Sequence, residues 1–205
     1  MNKDIQNKFA KVYQNGTWKS GESYSGGGSD VEETNFLILN FGDFMRELGI
    51  KSLYDAACGD FNWMRFVNLT GIKYVGGDIV EELIQQNKSL YPDTDFVVCD
   101  ITTDTLGEYD AILCRDLFVH FNNDDFRKAI ANIKQSGSKY LIATTFPNHN
   151  NDHEYQTGED WRYMSLNKPP FNFPQPIAVI NEQCTAYNML YTDKSLGVYL
   201  ISEIK

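Results

Sequence analysis

The chain has 205 residues and a formal net charge of −10, with 18 basic against 28 acidic side chains. This length fits one domain, and 42% hydrophobic with 14% aromatic residues exclude a disordered chain. The excess of acid argues against nucleic acid and anionic membrane surfaces as partners, because their phosphates repel an acidic surface.

The four cysteines lie far apart and form no CxxC pair, so neither a zinc ribbon nor a redox motif is indicated. A reduced, cytoplasmic protein is the simplest expectation. The N-terminus has no apolar leader, and the chain has no run of about 18 apolar residues. We therefore expect no secretion signal and no membrane span. The oligomeric state stays open.

The first 28 residues are polar and glycine-rich, and we predict that they form a lid segment before one domain over residues 29–205. Apolar residues at helical spacing predict a short helix over 3–13. Trp18 and Tyr24 are unusual in a glycine-rich linker, which indicates a segment that packs on the rest of the protein.

A capping box, Ser29-Asp-Val-Glu32, predicts the start of the next helix, and Gly49 its end. Short apolar strands then alternate with helices. The predicted strands lie at 52–55, 73–78, 95–100, 109–114 and 139–145. The predicted helices between them lie at 61–68, 80–90 and 123–134. This alternation is typical of βαβ units, which build a parallel sheet covered by helices on both faces.

The alternation ends after Pro147. Residues 148–176 form a long loop, and loops of this length without their own structure are usually functional, for example as a lid. Two terminal strands are predicted at 177–180 and 196–201. Residues 188–193 fit either another strand or a turn.

Acidic residues close the first three predicted strands, at Asp55, Asp78 and Asp100. An open parallel sheet binds its ligand at the carboxyl ends of its strands. The turn from Asp55 to Asp60 has one glycine, not the G-x-G-x-x-G of a dinucleotide fold, and its two acids suit a cationic amine better than a pyrophosphate. Asp78 suits the two hydroxyls of a ribose, and Asp100-Ile101 an adenine.

This arrangement resembles the class I S-adenosylmethionine-dependent methyltransferases over about residues 30–205. The resemblance implies a Rossmann-like, seven-stranded, mostly parallel sheet in the order 3-2-1-4-5-7-6, with the last strand antiparallel. It also implies S-adenosylmethionine as cofactor, with Asp55 to Asp60 at its methionyl end. The turn departs from the family pattern, since Cys58 and Asp60 stand where glycines are common. The cofactor-binding residues that we expect from it are Asp55, Ala57, Gly59, Asp60, Trp63, Asp78, Ile79, Asp100, Ile101 and Arg115.

Within that family the chain is similar to a bacterial subgroup of small methyltransferases. The sequence blocks that carry this similarity lie at 25–29, 57–64, 114–121, 136–138, 144–147, 157–162, 169–171 and 193–197. The subgroup implies a small-molecule or saccharide (glycan-linked) acceptor.

The residues after the fourth strand, Arg115, Asp116 and His120, are the candidate catalytic group. Histidine is the commonest base for an oxygen acceptor, and a helical turn would let Asp116 orient its ring. The alternative is a structural Arg-Asp pair with a helix-capping histidine. Methyl transfer needs mainly alignment, so a dedicated base is not required.

The candidate acceptor-binding residues are Trp161, Arg162, Tyr24 and Trp18. Arg162 and Arg115 leave an anionic acceptor possible, although the aromatic residues fit equally well as anchors of the long loop. His149 and His153 flank Asp152, but a solvated loop explains them better than a metal, and we predict no metal site.

The sequence therefore predicts a methyltransferase, with oxygen as the expected target atom. Two alternatives remain open at this point. One is a nicotinamide-dependent oxidoreductase, which the missing glycine fingerprint disfavours. The other is a binding module that has lost its chemistry.

Overall fold

The computed structural model describes residues 1–205 apart from the side chain of Tyr187. A seven-stranded sheet lies at its centre. Its strands are β1 (Ser52–Ala56), β2 (Lys73–Asp78), β3 (Asp95–Val98), β4 (Ala111–Cys114), β5 (Tyr140–Thr145), β6 (Ala178–Asn181) and β7 (Ser195–Leu200). The helices are α1 (Lys3–Gln14), α2 (Val31–Glu47), α3 (Glu81–Leu90), α4 (Asn123–Gln135) and α5 (Ala186–Met189).

The strand order is β3-β2-β1-β4-β5-β7-β6. Strands β1 to β5 pair in parallel, and β7 is antiparallel to both β5 and β6. The predicted sheet order and the antiparallel last strand are confirmed. The order places the ends of β3, β2 and β1 side by side, which brings their terminal acids to one edge.

Both faces of the sheet are covered, as predicted. Every residue of β4 and β5 is buried, as expected for central strands between two helical layers. Neighbouring residues of a strand point to opposite faces. Ile112 therefore packs with Ile130 of α4 in one core cluster, whereas Leu113 packs with Phe41 of α2 in the other.

Helix α2 begins one residue later than its capping box predicts. Its N-cap is Asp30, and this side chain caps no backbone amide of the helix. The Asp30 carboxylate instead accepts a hydrogen bond from the Ser20 hydroxyl. The carboxylate of Glu22 accepts from the Val31 amide at 2.8 Å. The glycine-rich segment thus supplies the cap, which is a long-range effect that a local motif does not encode.

The predicted helix over 61–68 is wrong. Only a short 3-10 turn, Met64–Phe66, forms there. Phe61 has a positive φ of 59°, which ends any regular helix at this point. Phe61, Trp63 and Met64 are all buried in the core on the α2 side of the sheet. The segment is shaped by packing these bulky side chains rather than by helix periodicity.

The long segment 148–176 contains no regular helix or strand, but it is packed against the protein. Met164, Leu166 and Phe173 are buried in the core cluster on the α4 side. Backbone bonds join it to the residues after β4, with the Gly158 amide donating to the His120 carbonyl at 3.0 Å. It is a fixed wall and not the free lid expected from its length. After it, α5 ends at Met189 and residues 190–193 form a turn, so the turn is the alternative that the structure shows over most of 188–193.

Among the described residues, none of the helices combines the length and the apolar character needed to cross a bilayer.

Candidate active site

The three acids at the strand ends lie around one cavity of about 150 Å³. Asp55 ends β1, Asp78 ends β2 and Asp100 follows β3, and all three line this first cavity. Ala57, Gly59, Trp63, Ile79, Ile101 and Arg115, which were also expected at the cofactor, line it too. The structure thus brings together nine of the ten expected cofactor-binding residues.

Two backbone amides hold the carboxylate of Asp78. Its Oδ2 accepts from the Gly59 amide at 3.2 Å, and its Oδ1 accepts from the Val80 amide at 2.9 Å. Removal from water raises the pKa of this carboxyl. Each oxygen retains acceptor capacity toward the cavity, because a carboxylate offers about four acceptor sites.

Asp55 is 4% exposed and lines the first cavity. Its Oδ2 accepts from the Tyr74 hydroxyl at 2.9 Å. Burial raises the pKa of Asp55 to about 7, although the Tyr74 hydrogen bond and the Arg115 charge act in the opposite direction. A buried carboxyl in this state gains from a cationic ligand beside it, because the opposite charge favours its ionised form.

Asp100 is engaged with the chain itself. Its Oδ1 accepts from the amide and the hydroxyl of Thr102, at 2.9 and 2.6 Å. Its Oδ2 accepts from the Thr103 hydroxyl at 3.1 Å and from the Asn2 amide at 2.6 Å. The carboxylate expected to meet an adenine amine therefore tethers the start of the N-terminal segment to the edge of the sheet.

Asp60 lies outside the lining of the first cavity, unlike the rest of the expected set. Its carboxylate accepts from the Ser23 hydroxyl at 3.0 Å, the Tyr24 amide at 2.7 Å and the Ser25 hydroxyl at 3.1 Å. The structure thus gives Asp60 the N-terminal segment as its partner. Gly59 enforces the close approach, since its φ is 55° and a Cβ there would lie 2.1 Å from Ser25 Oγ.

The N-terminal segment covers the first cavity. Helix α1 turns Ile5, Phe9 and Val12 toward it. The Asn2 side chain caps this helix by accepting from the amides of Asp4 and Ile5. Tyr24, expected at the acceptor, lines only this first cavity and stacks near Tyr13 at 5.3 Å between ring centroids.

A second cavity of about 510 Å³ adjoins the first. Its walls come from the glycine-rich segment, the end of β4, the long segment 148–176 and the residues around β6 and α5. The two cavities share six lining residues: Trp18, Ser25, Ser29, Arg115, Asp116 and His120. The three candidate catalytic residues therefore lie where the cavities meet.

His120 stands at this junction. Its Nδ1 lies 3.1 Å from the Asp160 carbonyl oxygen, which can only accept a hydrogen bond. Burial lowers the pKa of the imidazole, so the neutral ring predominates at pH 7. A neutral ring with its proton on Nδ1 keeps the lone pair on Nε2. The structure corrects the idea that Asp116 orients the ring, because the Asp160 carbonyl does so.

Asp116 instead belongs to a cluster of four charges with the buried residues Arg115, Glu182 and Lys194. Lys194 Nζ lies 2.6 Å from Asp116 Oδ2 and 3.3 Å from Glu182 Oε2. Arg115 Nη2 lies 2.7 Å from Glu182 Oε2. Burial opposes the ionisation of Asp116, but Lys194 and Arg115 outweigh it and lower its pKa to about 2.

Glu182 and Lys194 were missed as site residues by sequence reasoning. They follow β6 and precede β7, which lie 67 and 78 residues from their partners after β4. The only sequence feature that points to Lys194 is Asp-Lys-Ser at 193–195, a pair of charged residues directly before an apolar strand. Lys194 fits equally well as an ordinary turn residue, so the sequence alone does not assign it to the site.

Trp161 lies in the wall of the second cavity, but Arg162 lines neither cavity. Arg162 is 5% exposed and donates to the carbonyls of His153 and Phe121, each at 2.9 Å, and to Asn123 Oδ1 at 2.8 Å. It anchors the long segment to the protein, so we withdraw it from the acceptor site.

The histidines considered for a metal lie elsewhere. His149 Nδ1 pairs with Asp193 Oδ2 at 3.2 Å, and His149 lines neither cavity. Among the described residues no group of three His, Cys, Asp or Glu side chains is placed to hold a metal ion.

Comparison with known proteins gives one family match and several structures of similar fold. Residues 53–137, less than half of the chain, match a family model described as a methyltransferase domain. A search of curated proteins found no match. The matched segment runs from β1 to just beyond α4.

Among solved structures, the chain is similar to the magnesium protoporphyrin IX methyltransferase from Synechocystis PCC 6803 with bound SAH. The TM-score is 0.50 at 15% identity, over 75% of this chain and 78% of that chain. The methyltransferase domain of bacterial CtHen1 gives a TM-score of 0.50 at 12% identity, over 65% and 78%. The PH0226 protein from Pyrococcus horikoshii OT3 gives 0.45 at 18% identity, over 57% of each chain. At this identity, the first two likenesses concern the fold.

Proposed function

We propose that this protein is an S-adenosylmethionine-dependent methyltransferase that methylates a hydroxyl group of a small-molecule or glycan-linked acceptor, with residues 1–28 as a lid over the methyl donor. The methyltransferase-domain match and the fold support the enzyme class. The observation that carries the proposal is the junction of the two cavities, where both share His120, Asp116 and Arg115.

The first cavity fits the donor by its acids. Asp78 lines it with a carboxylate whose two oxygens are each held by one amide and keep acceptor capacity, which suits the paired hydroxyls of a ribose. The buried carboxyl of Asp55 suits the amine of the methionyl end, because that charge offsets the cost of ionising it. Ile79 and Ile101 supply apolar contacts for a base.

The donor supplies an electrophilic methyl group on a sulfonium when it is bound. His120 would accept at Nε2 the proton that the acceptor hydroxyl loses on methylation, in which the methyl carbon–sulfur bond breaks as the carbon–oxygen bond forms and the sulfur leaves as a neutral thioether. The Asp160 carbonyl holds the ring in this tautomer. Asp116 and Arg115 fix the floor of the junction through their buried ion pairs. Alignment of the two reactants across the junction supplies the larger part of the rate.

The acceptor lies in the second cavity in this proposal. Its walls combine the aromatic residues Trp18 and Trp161 with polar and charged groups. Such a mixture of apolar faces and a few placed polar groups is typical of small-molecule sites.

A thermal-shift measurement tests the donor assignment. A ligand at 100 times its Kd adds about 2.7 kcal/mol to stability, so SAH should raise the melting temperature by about 5–10 °C. Asp78→Asn should lose most of this shift. Asp95→Asn, at the opposite end of the neighbouring strand, should keep it. A shift with NAD and none with SAH would overturn the proposal in favour of an oxidoreductase.

A further inference from the structure

We propose that the acceptor carries a positively charged amine, bound against an acidic wall of the second cavity formed by Asp30, Glu33 and Glu182. The acceptor hydroxyl then meets His120 at the other side of the same cavity. The inference rests on the proposed methyl transfer and adds the chemical class of the acceptor to it.

Glu182 is the first support. It is 1% exposed, and it lies in the wall of the second cavity. Its Oε2 accepts from Arg115 Nη2 at 2.7 Å and from Nε at 3.2 Å. Its Oε1 has no hydrogen-bond partner among the described residues. A buried carboxylate oxygen without a donor is costly, so an ammonium group that enters the wall at Glu182 would gain by supplying one.

The balance of charge around the cavity is the second support. Four carboxylates line it, those of Asp30, Glu33, Asp116 and Glu182, against the two cations Arg115 and Lys194. His120 adds no charge, because burial lowers the pKa of its ring. The N-terminus of α2 offsets about half a charge. The cavity therefore keeps a negative potential, which favours a cation and repels an anion.

The cations are also engaged. Arg115 donates to Glu182 and to the Gly28 carbonyl at 2.7 Å, and Lys194 donates to Asp116 at 2.6 Å. Arg115 and Lys194 are the basic side chains among the described lining residues, and both are already paired with carboxylates. The anionic acceptor that Arg115 and Arg162 kept possible from the sequence is thereby disfavoured.

The aromatic residues of the second cavity are the third support. Phe146 and Tyr191 have ring centroids 5.7 Å apart, and those of Trp161 and Tyr191 are 5.2 Å apart. All three rings line the second cavity. Aromatic faces attract cations and also pack on the flat carbon skeleton of an acceptor. The cavity thus suits a scaffold with a hydroxyl at one end and an ammonium group at the other.

Three phenols that differ only in the charge of their side chain test this inference. They are tyramine (cationic), 4-(2-hydroxyethyl)phenol (neutral) and 4-hydroxyphenylacetate (anionic). Their dissociation constants are measured by calorimetry with the full chain saturated with SAH. We expect tyramine to bind about tenfold more tightly than the neutral phenol, with the anion weakest. The difference should shrink as salt is added.

Two variants localise the effect. Glu182→Gln should reduce the preference for tyramine over the neutral phenol to about threefold or less. Glu33→Gln gives an independent measure at a partly exposed carboxylate if Glu182→Gln does not fold. Glu203→Gln, which lies outside both cavities, should leave the preference unchanged.

Equal binding of the three phenols, tighter binding of the anion, or no binding of tyramine with SAH present would overturn the inference. Methylation of tyramine on nitrogen would also overturn it, since the amine would then lie at His120. These outcomes leave the donor assignment intact. If the proposed methyl transfer were wrong, the protein would instead not bind SAH at all.

Discussion

Trp18 stacks on His120, with ring centroids 4.1 Å apart and ring planes inclined by 22°. Trp18 belongs to the glycine-rich segment, whereas His120 ends the short turn after β4. Both residues line both cavities. The N-terminal segment therefore contacts the candidate base as well as covering the first cavity.

His120→Gln should lower kcat by about 10²–10⁴-fold, because general-base catalysis contributes that much. SAH affinity should stay unchanged, since the Asp78 and Asp55 contacts are untouched. His149→Gln is the matched control, because His149 pairs with Asp193 and lines neither cavity. A variant at position 120 with full turnover would show that alignment alone drives the reaction.

The pH profile of kcat/KM should rise through a pKa below 6.5. Burial lowers the pKa of His120, so its neutral, proton-accepting form is present from a lower pH than in a free histidine. Initial rates between pH 4.5 and pH 9 in His120→Gln should lack this limb. An unchanged profile in the variant would assign the titration to another group.

The pH dependence of the free energy of unfolding should reflect the titration of the Asp55 carboxyl. Burial raises its folded pKa from 3.8 to about 7, so between these values the folded protein binds a proton that the unfolded chain has released. The stability contributed by this proton is full below pH 4 and is lost as pH rises through 7. One pKa unit corresponds to about 1.4 kcal/mol, so the loss should be about 1–4 kcal/mol.

Asp55→Asn should remove this loss, and urea unfolding of the ligand-free protein at pH 5 and pH 8 measures it. The variant should be more stable than the parent at pH 8 while binding SAH more weakly. Asp95→Asn serves as the control at an exposed strand end. Equal pH dependence in the parent and in Asp55→Asn would mean that Asp55 is ionised in the folded protein.

Asp60→Asn should loosen the N-terminal segment. The Asp60 carboxylate accepts three hydrogen bonds from residues 23–25. Weakening them should reduce the free energy that holds the segment against the rest of the protein by about 1–3 kcal/mol. Hydrogen exchange of amides in residues 15–30 should accelerate about tenfold or more, and SAH affinity should fall. Asp43→Asn breaks only an exposed pair with Arg46 and should change neither. Unchanged exchange in Asp60→Asn would exclude this carboxylate as the clamp of the segment.

Lys194→Met should destabilise the protein by about 3 kcal/mol, because it leaves Asp116 and Glu182 short of a buried cation. Lys128→Met removes a more exposed pair with Asp125 and should cost less than about 1 kcal/mol. Urea unfolding compares the two. Similar losses for both would show that the cluster of four charges is no stronger than a surface pair.

Many of the strands and helices could be predicted from the local pattern of apolar residues. The strands at 73–78 and 139–145 are short apolar runs, and the helices α3 and α4 follow a clear period. Parallel strands place their carboxyl ends at one edge, so Asp55, Asp78 and Asp100 could be assigned to one cavity before any coordinates. These inferences succeed because they depend on periodicity and on the direction of the chain.

The sequence by itself thus determined the sheet, its ligand edge and the residues after β4 as candidates for the chemistry. Only the tertiary structure decided what those side chains contact. Asp60 accepts from the Tyr24 amide and Asp100 from the Asn2 amide, both in the N-terminal segment. Arg162 donates to the Phe121 carbonyl, and Glu182 pairs with Arg115, which lies 67 residues away in the chain. The physical reason is that a buried polar group takes whichever partner the fold brings within about 3 Å, and that distance is set by packing between segments far apart in the chain.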